Sequence, residues 1–292
     1  MITFGVAGVV FSAAACGTTT TEVAGEGGNT TDPLPIPPPG DSQEYPNEPD
    51  GFTRITQRSF NVLDEDGWEH TGGFNGSRFE IARDASAPES PDNVGVQIYR
   101  PGVDGGSPSN VHRTFYNQTN NRLYVSTWMK LSDNWHGHRT GVNKLFYLRV
   151  GAGDNIWRWY LSSQGSDDTP LTLVPWSHDY ALEASGRHLW ANVGDAGDGS
   201  WNGWGPASVM ERGRWHHIEV VVVANTGGAN DGQYHLWLNG VKIAEYTDIW
   251  FRNEGEPAFH GIEWNPVWGG WGDTLQEDQY MWMDDIYVSG SS

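Results

Sequence analysis

The sequence predicts an all-β fold, a two-sheet antiparallel sandwich of jelly-roll type that follows a disordered N-terminal tether. Three observations carry this. From Phe52 onward the chain breaks into short runs rich in Val, Ile, Tyr, Trp and Thr, separated by Gly, Asn, Asp and Pro, the pattern of strands joined by turns. No stretch sustains a helical period of apolar residues. About a dozen strands without an internal repeat fit a sandwich better than a propeller, whose blades would repeat.

Met1 to Ala15 is apolar and rich in small residues, and Ser12-Ala13-Ala14-Ala15-Cys16-Gly17 resembles the lipobox of bacterial lipoproteins. That resemblance implies lipidation of Cys16 and a place outside the cytoplasm, with a membrane reached only through the lipid. A cleaved secretory signal with an incidental cysteine is the alternative and leads to the same side of the membrane; the basic n-region usual in such signals is absent. Segment 1–16 is therefore read as the signal or lipoprotein segment. Segment 17–51 is Thr-, Gly- and Pro-rich, running through PLPIPPPGD and EYPNEP. It cannot bury enough apolar area to offset its ordering entropy, and is read as an extended linker. Segment 52–292 is the folded domain.

Strands are expected at 77–82, 95–100, 111–116, 122–131, 143–150, 156–162, 187–193, 215–224, 233–239, 241–246, 260–266 and 279–289. Asn239-Gly240 between two apolar runs is the residue pair of a two-residue hairpin. Alternation along a strand puts Tyr124, Ser126, Trp128 and Lys130 on one face, Arg158 and Tyr160 on another, and His188, Trp190 and Asn192 on a third. Such mixed polar and aromatic sets suit a half-solvated groove.

Charge is segregated. Arg100, Arg113, Arg122, Lys130, Arg139, Lys144, Arg149 and Arg158 face only Asp104, Asp133 and Asp154 in the same window, within a chain of net charge −20. A local cationic field inside an acidic protein points to an anionic polymer as partner. The acidic total argues against nucleic acid, whose phosphates need broad Lys/Arg coverage. With 16 Trp and 11 Tyr, the core alone does not account for every ring, and the remainder suits stacking on sugars. A single cysteine excludes an intrachain disulfide and any cysteine-based zinc site.

Arg214-Trp215-His216-His217-Ile218-Glu219, the following ANTGGANDGQYHLWLNGVKIAEY, then Ile262-Glu263-Trp264-Asn265-Pro266-Val267-Trp268 and the closing run 278–289 are similar to the concanavalin-A-like jelly-roll polysaccharide lyases that cleave alginate and glucuronan. LYVSTWMKL and Gly141-Val142-Asn143-Lys144-Leu145 extend the resemblance to about residues 120–289. It implies β-elimination on a uronate-containing polysaccharide by a monomer that requires no cofactor. Lys144 matches the lysine of the family's G-x-K-L segment. Arg158 stands as the cation for the uronate carboxylate, and Tyr160 as the phenol for proton transfer. The family's paired tyrosines are missing from the next strand, where His188 takes the role of base.

Substrate contacts are expected from Arg113, Tyr124, Trp128, His138, Trp190, Asn192, Trp264 and Trp268; Trp201, Trp204 and Trp271 are further sugar platforms on Gly-rich segments. Each has a plainer reading: a solvent-facing lysine, a flexible His136/His138 pair, packed tryptophans. Of His112 and Arg113, alternation lets only one reach the groove. His216 and His217 are by default structural. Asp284 and Asp285 are candidates for a structural calcium site or for a strand-end role. Two functions compete with the lyase: a non-catalytic glycan-binding surface lipoprotein, and a glycoside hydrolase using Glu219 and Glu263, which would have to flank one bond.

Overall fold

Alternating apolar residues in the longest runs set the architecture. The computed structural model describes residues 45–63, 65–73, 76–90, 93–115, 120–140, 142–151, 156–162, 171–177, 206–270 and 272–292, and for 142, 156–162, 175–177, 206 and 248 the backbone only. In β6 (Arg122–Leu131), Leu123, Val125, Met129 and Leu131 turn into the core, while Tyr124, Ser126, Trp128 and Lys130 turn away. The same alternation in β11 (Trp215–Val223) buries Ile218, Val220 and Val222.

The first sheet runs β13 (Val241–Ile249), β12 (Gly232–Leu238), β11, β6, β15 (Gln279–Ser291), β4 (Val94–Tyr99) and β3 (Arg78–Ala82), with β1 (Thr53–Arg58) also paired to β15. The second runs β10 (Val209–Met210), β9 (Leu171–Ser177), β8 (Ile156–Ser162), β7 (Val142–Arg149), β14 (Gly261–Trp264), β5 (Asn110–Thr114) and β2 (Glu69–Thr71). Every described pairing is antiparallel, and sequence neighbours repeatedly lie in different sheets, as a jelly roll requires. Between the sheets, Phe146, Leu148, Ile262 and Trp264 meet the inward residues of β6 and β11 in one core.

Eleven of the expected strands lie among the described residues, within a few residues of their expected ends; 187–193 lies outside them. The short β2 and β10, and β1 and β9, were not anticipated. TRITQR and LTLVPWS lack the strong alternation of the other strands, and Pro175 argues against a central strand; β9 tolerates it near its end. The hairpin is as expected, with Asn239 at φ 51° and Gly240 at φ 76°. Its register Leu238↔Val241 leaves the two-residue turn between the strands.

The linker boundary at residue 51 shifts, because ordered packing begins by Tyr45. Tyr45 stacks on Tyr287 at 3.7 Å, and Asn47 donates from its backbone N (3.2 Å) and Nδ2 (2.9 Å) to Glu219. Residues 45–52 thus strap the outer face of the first sheet. A second cover, residues 84–90, is held there by the Asp284 carboxylate, which accepts from the N–H groups of Glu89 (2.7 Å) and Ser90 (3.0 Å).

Candidate functional site

Cross-strand register assembles the ionisable residues of the second sheet. Glu69 pairs with His112, His112 with Glu263, Glu263 with Tyr147, and Tyr147 with Arg158. Directly paired positions share a sheet face, and Glu263 alternates with the core residues Ile262 and Trp264. The row therefore crosses the outer face. Between Lys144 and Tyr147 the pairing with β8 contains a bulge, so Lys144 lies opposite Tyr160 while Tyr147 lies opposite Arg158. One extra residue in β7 keeps both pairs on the same side even though Leu145 and Phe146 both enter the core. Register thus gathers Lys144 and the positions of Arg158 and Tyr160, and adds Tyr147. His188, Trp190 and Asn192 fall outside the described residues, as do Trp201, Trp204, Trp271 and Cys16.

Within the row, Glu263 is buried and held on two sides: Arg149 forms an ion pair with it, and Asn110 Nδ2 donates to its Oε2 at 3.1 Å. Gly261 is what lets Arg149 lie across β14, since a Cβ there would sit 3.2 Å from Arg149 Cδ. His112 Nε2 is 3.7 Å from Glu69 Oε2. At the rim, Lys144 lines an open cleft of about 520 Å³ with Asp104, Gly105, Gly106, Val267, Gly269, Gly270 and Gly272. The two loops clamp through Gly106 and Trp268, which exchange backbone hydrogen bonds of 3.0 and 2.9 Å. The missing side chains of Gly105, Gly106, Gly269, Gly270 and Gly272 let a ligand approach the backbone closely.

Several expected contacts lie elsewhere. Tyr124 and Trp128 belong to the outer face of the first sheet, on the far side of the core. Tyr124 is fully buried and donates to Glu219 at 2.7 Å, and Trp128 stacks on His217 at 4.6 Å. Alternation identified their shared face; it carries no information about which of two outer faces that is. Arg113 turns toward the Gly67 carbonyl (3.1 Å) on the core side, so His112 is the groove residue of that pair. Trp264 is core, edge-on to Phe60 and Phe79. Trp268 is core as well, donating from Nε1 to the His136 carbonyl at 2.8 Å.

His138 is buried behind the cleft wall: its Nδ1 meets Thr140 Oγ1 at 2.7 Å, and a Cβ on Gly269 would come within 3.2 Å of its ring. It supports the wall instead of lining it. Burial lowers its pKa, against the opposing field of Asp273.

The first sheet's outer face holds a second polar cluster. Ser126 Oγ is 2.7 Å from His217 Nε2, and His217 Nδ1 is 3.6 Å from Glu219 Oε2. The order is that of a hydrolase triad, but the ladders to β11 and β15 already occupy the β6 backbone around Ser126, so those amides are not available to hold an oxyanion. Ser126 is only 3% exposed and Asn47 caps the acid. His216 is likewise structural, bonded to the Glu211 carbonyl and to Asn239.

Glu219 and Glu263 stand on the outer faces of different sheets, with a core of about 10 Å between the sheets, and cannot flank one glycosidic bond. For calcium, Asp285 accepts from Gln57 (2.7 Å) and Tyr45 (3.5 Å), and Asp284 from two amides. Among the described residues no three His, Cys, Asp or Glu side chains gather as metal ligands; the pair lies inside β15, at the bulge between Asp284 and Ile286, where its carboxylates hold the segments that cover the sheet.

The sequence-based signal for Tyr147 was present in NKLFYLRV, but strict alternation from Lys144 assigns it to the opposite face. Only the bulge returns it. Glu263 and His112 were visible as residues, and the register that joins them was not.

No protein-family model matches the chain, and no curated protein matches it. Solved structures do. An alginate lyase from a Chlorella virus superposes with a TM-score of 0.55 at 12% identity, covering 82% of this chain and 100% of that one. An endo-β-1,4-glucuronan lyase from the fungus Trichoderma reesei gives 0.51 at 14%, covering 82% and 96%. A carbohydrate esterase from the Shiga toxin-encoding bacteriophage phi24B gives 0.50 at 15%, covering 83% and 100%. Identities this low speak to fold, and one fold serves several chemistries. With its two antiparallel sheets and crossed connections, the chain has the concanavalin-A-like jelly-roll sandwich of the alginate and glucuronan lyases.

Proposed function

We propose that the protein is a polysaccharide lyase that cleaves a uronate-containing polymer by β-elimination on the outer face of the second sheet. The observation that carries this reading is the bulged β7/β8 register, which brings Lys144, Tyr147 and the positions of Arg158 and Tyr160 to one face. The chemistry needs those residue types. A cation neutralises the uronate carboxylate and makes the C5 proton removable. A base takes that proton, the C4–O bond breaks as the C4–C5 double bond forms, and an acid protonates the departing oxygen.

In this reading Arg158 holds the carboxylate, Tyr147 and Tyr160 are the phenols for proton transfer, and Lys144 supplies positive charge or a base at the rim. His188 keeps its expected role as a second base. The Gly-lined cleft at Lys144 admits the polymer beside that group. A similar solved structure, a mutant alginate lyase in complex with an alginate trisaccharide, holds a fragment of a polymer of this class. An extracytoplasmic location with Cys16 as lipid anchor completes the proposal, since a polymer of this size is met outside the cell.

The test is a panel of uronate polymers incubated with the purified chain. Elimination gives ultraviolet absorbance from the unsaturated uronate, and products lighter by one water than hydrolysis would give. New reducing ends without that absorbance would replace the lyase by a hydrolase. Binding without any product would leave a glycan-binding protein.

A further inference from the structure

The outer face of the second sheet is electrically lopsided. At its β2–β5–β14 end Arg149 is already engaged by Glu263, and Arg113 turns to the core side toward the Gly67 carbonyl. Glu69 has a side chain 60% exposed, and its described partner is the imidazole of His112 at 3.7 Å. The other end holds Lys144 and the register position of Arg158. A polymer laid along the row Glu69–His112–Glu263–Tyr147–Arg158 therefore leaves a stretch whose exposed carboxylate is Glu69 for one that carries Lys144, with Asp104 in the lining of the same cleft. From Glu69 to Glu263 is two strand spacings, about 10 Å, so the acidic stretch is long enough to meet a sugar of its own.

We infer, resting on the lyase reading, that this end is a subsite for an uncharged sugar and that the substrate is a mixed polymer in which uronates are interspersed with neutral residues. A carboxylate set beside Glu69 meets a like charge, and among the described residues of that end no spare cation offsets it, within a chain of net charge −20. A neutral pyranose at the same place meets no like charge, and its hydroxyls find an exposed acceptor in Glu69. Glu69 is the specificity-determining residue, discriminating by repulsion of the wrong sugar.

Calorimetric binding of two size-matched oligosaccharides, one all uronate and one alternating uronate with a neutral sugar, tests this on the full chain, with turnover of the parent polymers measured alongside. The expected result is at least about tenfold tighter binding of the mixed oligosaccharide at low salt. That ratio should shrink several-fold in Glu69→Gln and as ionic strength rises. Equal or tighter binding of the all-uronate oligosaccharide, or a ratio that Glu69→Gln and salt leave unmoved, overturns the inference. The two readings fail separately. The binding ratio stands or falls whether or not either polymer is cut, whereas absence of elimination products from both polymers counts against the lyase alone.

Discussion

At the scale of single residues, the division between cleft and core gives opposite expectations for residues that look alike in the sequence. Lys144→Ala should lower kcat/KM by about 100-fold or more with little change in thermal midpoint, read by product absorbance and calorimetry; Tyr147→Phe should lower it similarly, but that ring is only 4% exposed, so losing its hydroxyl should also cost about 1 kcal/mol of stability. Trp264→Ala should instead cost about 3–5 kcal/mol of stability, because the indole is fully buried against Phe60 and Phe79; chemical denaturation measures it. Burial also holds His138, His216, His217 and His235 below the ordinary imidazole pKa of 6.5. Their neutral forms belong to the folded state, so the unfolded chain binds more protons as pH falls through that value, and stability drops. The raised Asp284 and Glu89 carboxyls, shifted chiefly by burial, act in the other direction at lower pH. Thermal midpoints from neutral to mildly acid pH should fall, and His217→Gln should flatten part of that slope.

At the scale of elements, strand existence was largely legible and strand partnership was not. YVSTWMKL and WHHIEVVVV announce themselves by β-branched and aromatic composition, with every second side chain entering the central core although both faces end up buried, and Asn239-Gly240 announces its turn through the positive φ that both residues adopt. What alternation leaves open is which side of the sandwich a face belongs to, and so Tyr124 and Trp128 were assigned to a groove from which the core separates them. The β7 bulge was hidden because it depends on the length of the partner strand. The strap at 45–52 was hidden for a different reason: EYPNEP has the composition of a linker, yet Tyr45 and Asn47 find a stacked ring and a buried carboxylate waiting on the sheet. Asn47→Ala should therefore destabilise the fold by about 1–3 kcal/mol, measured by urea denaturation. Activity at temperatures below the transition should hold, since the strap lies on the face opposite the cleft.

At the scale of the whole molecule, the sandwich separates two polar faces that the sequence alone could merge. The first sheet's outer face is closed by residues 45–52 and 84–90 around Glu219, His217 and Asp284. The second sheet's outer face carries the ionisable row and the Gly-lined cleft. A chain of net charge −20 repels polyanions overall, so recognition of uronate must be local to the Lys144 side of that second face. Hydrogen–deuterium exchange with and without a saturating uronate-containing oligosaccharide measures this directly. Protection is expected in Asn110–Thr114, Val142–Arg149 and Ile156–Ser162, with none added in Thr53–Arg58 or Gln279–Ser291; protection confined to those last two strands would place the ligand on the wrong face and contradict the assignment.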